Sequence, residues 1–150
     1  MKPMMALFLV LSFSVVAAAQ TEAPTGDRGK REALMMGLYP PDIIMRRQQA
    51  LGITDNQRAD ILKAVQTFQA EVAELQWTLQ NDQQLLRQSF AVYPIKIADA
   101  LLQAEQVLEL ESKFKLAHFR LLIAIKNELT EQQITMIDEG IKRKREKMSP

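Results

Sequence analysis

Apolar residues at Ile61, Val65, Phe68, Val72, Leu75 and Leu79 recur at alternating spacings of four and three, the seam of a helix packed against a second helix. The opposite face, Gln66, Gln69, Gln76, Gln80, Gln83 and Arg87, is polar and is expected to be wet. This pattern predicts one long helix from Thr54 to about Phe90, with the seam interrupted at Asp82 and resumed at Leu86. Val92, Tyr93 and Pro94 make a short joint, because Pro94 disfavours helical geometry at Tyr93 and suits the start of a new helix. A second long helix, about Ile95 to Asn127, carries Ala100, Ala104, Val107, Phe114, Leu121 and Ile125 on its seam, with Glu111 and His118 between them. Two long helices with so short a joint lie antiparallel, as a hairpin of about 50 Å at 1.5 Å per residue. From Phe114 onward the second helix is apolar on several faces, adding Leu116, Phe119, Leu122 and Ile123. That end needs more cover than one partner helix provides.

Two short helices are available as cover. Pro40 and Pro41 set the first turn of one, from about Asp42 to Ala50, and Gly52 is its natural stop. The other, near the C-terminus, has a stripe of Ile134, Ile137 and Ile141 and ends in Lys142, Arg143, Lys144, Arg145 and Lys147, where cations complement the helix dipole. Both the first long helix and the last short one open on the same phrase: Ile53-Thr54-Asp55-Asn56-Gln57 and Leu129-Thr130-Glu131-Gln132-Gln133. A threonine at the N-cap accepts from the N3 amide while a glutamine at N3 reaches back to the N-cap amide, so two orphan donors are satisfied reciprocally. Ile53 and Leu129 hold the staple position ahead of each box, against Arg58's aliphatic stem and Ile134.

Composition adds a compartment. Lys2, the apolar run Met4 to Val16 and Ala17-Ala18-Ala19 before Gln20 read as a secretory signal, residues 1–19, cleaved before Gln20. The apolar run is shorter than the roughly 20 residues a bilayer-spanning helix requires, so the exported chain is expected not to span a membrane. Residues 20–41, polar with Pro and Gly and then the apolar patch Leu34, Met35, Met36, Leu38 and Tyr39, read as a flexible leader, and residues 42–147 as one helical domain. Removal of Lys2 leaves 18 basic residues against 18 acidic ones, a balance that favours no nucleic-acid partner. Cysteine is absent, so packing rather than disulfides must hold the domain in an oxidising compartment. The fold class expected is all-α: four helices, a long antiparallel hairpin with short flanking helices. A thin hairpin has little interior, and a homodimer is the expected means of covering its remaining apolar surface.

Candidate chemistry is sparse. No Gly-rich phosphate loop, nucleophile elbow or triad spacing occurs, so no enzyme activity and no cofactor are expected. Trp77 points away from the seam, and an exposed tryptophan suggests contact with a partner or client, the alternative being burial by helix curvature or a dimer partner. Met35 and Met36 offer flexible thioethers, suited either to varied apolar clients or to docking on the hairpin. With Phe90 they make the candidate client-binding set. A turn near Val92 places Thr67 opposite His118 and Glu74 opposite Glu111, so Glu111 and His118, joined by Glu71 or Glu74, are weak candidates for a divalent metal. The alternative for His118 is a partly buried seam residue hydrogen-bonded to a neighbouring carboxylate or Gln.

The paired boxes, the export signal and the helix order together resemble the LTxxQ-motif periplasmic family, which includes the Spy chaperone, the CpxP stress regulator and heavy-metal-resistance sensors. The likeness covers about Asp42 to Gly140. Leu129-Thr130-Glu131-Gln132-Gln133 matches the motif fully, and the first copy has Ile53 in place of leucine. The resemblance implies a cradle-shaped dimer of bent helical hairpins in the periplasm that binds unfolded clients without ATP or meets a membrane signalling partner. The sensor branch instead implies ligands at positions that fall here near Ile44, Gln48, Leu121 and Ile125, none of them a strong metal ligand.

Overall fold

The computed structural model describes residues 27–148. The export signal at residues 1–19, its cleavage before Gln20 and the first part of the leader, residues 20–26, lie outside the described residues. Five helices follow in order: α1 Asp27–Met35, α2 Pro41–Arg46, α3 Asp55–Ala91, α4 Ile97–Glu128 and α5 Glu131–Met148. The fold is all-helical, and its backbone is the α3–α4 pair running antiparallel.

The expected four helices are therefore five, and part of the stretch read as a leader is helix α1. Its stop was written in the sequence as Gly37, at φ +68°. Leu38 N–H donates to Ala33 O at 2.9 Å and Gly37 N–H to Leu34 O at 3.2 Å, the paired bonds of a Schellman cap that needs a residue in the left-handed region. The same device closes the turns after α2, where Gly52 at φ +61° follows Leu51. There Ile53 N–H donates to Gln48 O at 3.0 Å and Gly52 N–H to Gln49 O at 3.1 Å. Helix α2 itself ends at Arg46, short of the expected Ala50, and the chain reaches Gly52 through turns. Tertiary contacts hold α1 in place: Ala33 is buried, Leu34 packs on the main core, and Lys30 pairs with Asp42 at 2.9 Å.

That core lies at the base of the hairpin, where four segments converge. Tyr39, Ile44, Leu51, Ile53, Ile61, Leu121, Ile125, Leu129 and Ile137 form one buried cluster. Ile44, Ile61, Leu122, Ile125 and Ile137 lose essentially all solvent contact, each burial stabilising by about 1.5–3 kcal/mol. One step up the hairpin, Val72, Phe114 and Ala117 form a smaller cluster that Phe68 links to the first, with the Phe68 and Phe114 rings edge to face at 6.2 Å. Beyond it, toward the joint at Val92–Lys96, Val107 and Ala100 are the only buried residues of the hairpin. Asp82, on the seam, is half-buried there beside an interior too thin to bury it fully. Among the described residues no helix is long and apolar enough to cross a membrane.

Candidate functional site

The two helix-start phrases meet in space. At Thr54 the hydroxyl accepts from Gln57 N–H at 3.2 Å while Gln57 Oε1 accepts from Thr54 N–H at 3.0 Å. At Thr130 the same reciprocal pair forms with Gln133, at 3.2 and 2.9 Å. Both sequence-predicted capping boxes are thus present, and Ile53 and Leu129 ahead of them are buried in the main core. What the spacing did not reveal is that the two glutamines also bind each other. Gln57 Nε2 donates to Gln133 Oε1 at 2.9 Å, and Gln133 Nε2 donates to Gln57 Oε1 at 3.1 Å, a cyclic pair of carboxamides.

Each glutamine then reaches a backbone carbonyl just ahead of the other box. Gln57 Nε2 donates to Glu128 O at 2.6 Å, the last carbonyl of α4, and Gln133 Nε2 donates to Leu51 O at 3.2 Å. One side chain therefore serves a helix N-terminus, the partner glutamine and an orphan carbonyl, a role that requires a group both donating and accepting. Glutamate could cap its own helix as well but could not donate, and two carboxylates here would repel. Gln133 is 7% exposed, so its polar atoms depend on these partners rather than on water.

A second set of contacts ties the α1–α2 connection to the far helices. Tyr39 Oη donates to Asp138 Oδ1 at 2.8 Å, and Lys126 Nζ donates to Gly37 O at 2.7 Å while standing 5.7 Å from the Tyr39 ring centre. Burial, together with the adjacent Asp138 carboxylate, pushes the Tyr39 phenol up to about 12. On α2, Asp42 accepts from both Lys30 and Arg46. Burial pushes its carboxyl up, but the hydrogen bonds and charges of Lys30 and Arg46 outweigh that and hold it below the usual range.

The metal candidates are not drawn together. Glu111 is exposed, whereas His118 turns toward Phe68, ring centres 5.8 Å apart. Glu71 is taken by Arg120 at 3.1 Å. Among the described residues no group of three or more His, Cys, Asp or Glu is placed to hold a metal ion. The expected hydrogen bond from His118 to a carboxylate or glutamine is absent among the described residues; its neighbour is an aromatic ring instead. Burial draws the imidazole's pKa down, which favours the neutral form. The positions that the sensor branch implies are core or near-core: Ile44, Leu121 and Ile125 are buried, and Gln48 leaves its Oε1 without a partner.

The client-binding candidates are all at the surface. Met35 is 81% exposed, Trp77 80%, and Met36 and Phe90 about half. The apolar patch they were drawn from divides, since Tyr39 and Leu34 dock while Met35 and Met36 remain outside. The larger apolar surface was named only in its second half: Ile97, Leu101 and Leu108 join Leu116, Phe119 and Ile123 as exposed residues along the outer side of α4. It continues at the joint through Val92, Tyr93 and Ile95, with Tyr93 95% exposed. The signal for it was the apolar excess of the second long helix, visible from Phe114 onward but not traced back to Ile97. Comparison with protein-family models, with curated proteins and with solved structures finds no match.

Proposed function

We propose that the chain is a periplasmic, ATP-independent chaperone or envelope-stress protein of the Spy and CpxP kind, which binds unfolding clients weakly and reversibly on its helical surface. The observation that carries this reading is the row of exposed apolar side chains on α4, with Trp77 and Phe90 on α3 and Met35 and Met36 at the end of α1 and just after it, set among charged residues such as Glu105, Glu109, Lys113 and Lys115. Scattered apolar contacts within a charged field suit many clients at low affinity, because no single deep pocket selects one shape. Binding of that kind limits aggregation by competing with client self-association. Support for the family comes from the two interlocked capping boxes.

Part of the same apolar surface would be shared with a second copy, giving the homodimeric cradle that the resemblance implies. Sedimentation equilibrium tests this: a mass of two chains supports it and a single-chain mass at tens of micromolar removes it. The chaperone reading is tested by light scattering of a heated model client. Molar excess of the protein is expected to suppress the rise, and Trp77→Ser with Phe90→Ser to weaken that suppression; unchanged scattering with the parent chain ends the proposal. Isothermal titration with zinc, copper and nickel distinguishes it from a metal-responsive sensor, for which micromolar binding lost in His118→Ala would be required.

A further inference from the structure

Between the α1–α2 segment and the hairpin lies a cleft of about 300 Å³, lined by Lys30, Pro40, Pro41, Asp42, Val65, Phe68, Gln69, His118 and Leu121. Its volume is at the lower end of the range for small-molecule sites, roughly 300–1,000 Å³. Two features give it chemical character. The floor is apolar, with Phe68, Val65 and Leu121 from the hairpin and two proline rings from the opposite wall. The rim holds Lys30 paired with Asp42, which also accepts from the exposed Arg46 just outside the lining, so the three groups together carry one net positive charge.

Lys30 sits half-buried, where an ion pair is screened less than at a fully wet surface. An anionic group entering beside it would meet the ammonium hydrogens that Asp42 does not use, since Lys carries three donors, within the net positive field of the cluster. His118 completes the lining from α4. It makes no hydrogen bond among the described residues, and a neutral imidazole offers one donor and one acceptor to whatever enters. Nothing in the lining provides a second carboxylate that would repel an anion. The aromatic face of Phe68, tilted against the imidazole, favours a flat or chain-like apolar body beneath the charged head.

We propose that this cleft binds a small organic acid, an aryl or short alkyl carboxylate, with its apolar body over Phe68, Val65 and Leu121 and its carboxylate at Lys30 and His118. Occupancy would tie α1 and α2 more firmly to the hairpin, because the ligand touches both walls. It is separate from client capture, which uses the outer faces.

The chain has one histidine, so its imidazole gives a single NMR reporter inside the cleft. The full chain is titrated with 3-phenylpropionate, with its neutral amide and with 3-phenylpropylamine. The acid is expected to shift the imidazole signal saturably with a Kd on the order of 1 mM or tighter. The amide should bind several-fold more weakly and the amine not measurably. Lys30→Met should weaken the acid about tenfold, the value of one charge-assisted hydrogen bond, and Lys30→Arg should restore it. Gln69→Trp, which fills the mouth from an exposed position, should abolish the shift without altering helical content. Absence of a saturable shift with the acid, equal affinity for acid and amide, or unchanged binding in Gln69→Trp would each overturn the proposal. Aggregation suppression by Gln69→Trp should stay at the parent level, so loss of the ligand site and loss of chaperone action are read separately.

Discussion

The base of the hairpin and its tip are built from the same two helices but by opposite means. At the base, α3 and α4 are joined by α2, α5 and the α1 connection, and the glutamine pair meets the Glu128 and Leu51 carbonyls. At the tip, α3 and α4 have only each other, and Phe90, Val92, Tyr93, Ile95 and Ile97 face water. Two helices in contact along one stripe leave more than half of each circumference exposed, so apolar content beyond that stripe has nowhere to go within one chain. Burial is therefore concentrated at the base, while exposed apolar side chains run from the tip back along α4 as far as Ile123.

The contrast can be broken most sharply at the core. Ile125→Ala at the base should cost about 3–4 kcal/mol in urea unfolding, whereas Ile97→Ala near the tip should stay within about 0.5 kcal/mol. Next in size is the glutamine pair. Gln133→Ala orphans the Leu51 carbonyl and the Thr130 amide and should cost about 2–3 kcal/mol. A double-mutant cycle with Gln57→Ala should show coupling of about 1 kcal/mol or more, and simple additivity would mean that the two carboxamides do not act together. Tyr39→Phe removes the bond to Asp138, at about 1 kcal/mol. The phenol's raised pKa means that the unfolded chain ionises first, from pH 10.0, so parent stability falls as pH rises from there toward 12. That fall should flatten in the phenylalanine variant.

The smallest effect sits between the two ends, at His118. Its pKa is drawn below 6.5 by burial, so the unfolded chain takes up a proton before the folded one does. Stability should decline as pH falls through 6.5, and His118→Gln should remove that part of the slope. An unchanged slope in the variant would assign the acid sensitivity to carboxylates such as Asp42 instead, whose lowered pKa makes its contribution disappear as pH drops below about 4.

How far the chain could be read follows from where its information is local. The long helices were legible because a seam at three- and four-residue spacing persists over many turns, and the capping boxes because each is complete within four residues. Helix α1 was missed for the opposite reason. Its sequence, Asp27 to Met35, is mostly charged, and its docking rests on Lys30 meeting Asp42 and Ala33 meeting the core, contacts that no periodicity encodes. Gly37 was a readable stop signal for it. The exposure of Trp77 was legible from its position off the seam, while the pairing of Gln57 with Gln133 was not, because it joins residues far apart in the chain. His118 was placed correctly on the seam but given the wrong neighbour, since a one-residue shift across the hairpin exchanges Thr67 for Phe68.

The carboxamide joint spans 76 residues, and its second half belongs to the last helix. Loop closure over that distance is slow beside the zipping of neighbouring turns, so the α3–α4 arms should form first and the clasp last. A chain emerging N-terminus first would hold Gln57 without its mate until Gln133 had followed it. Locking of the base then waits for α5 to dock, which leaves the earlier helices pliable until that moment.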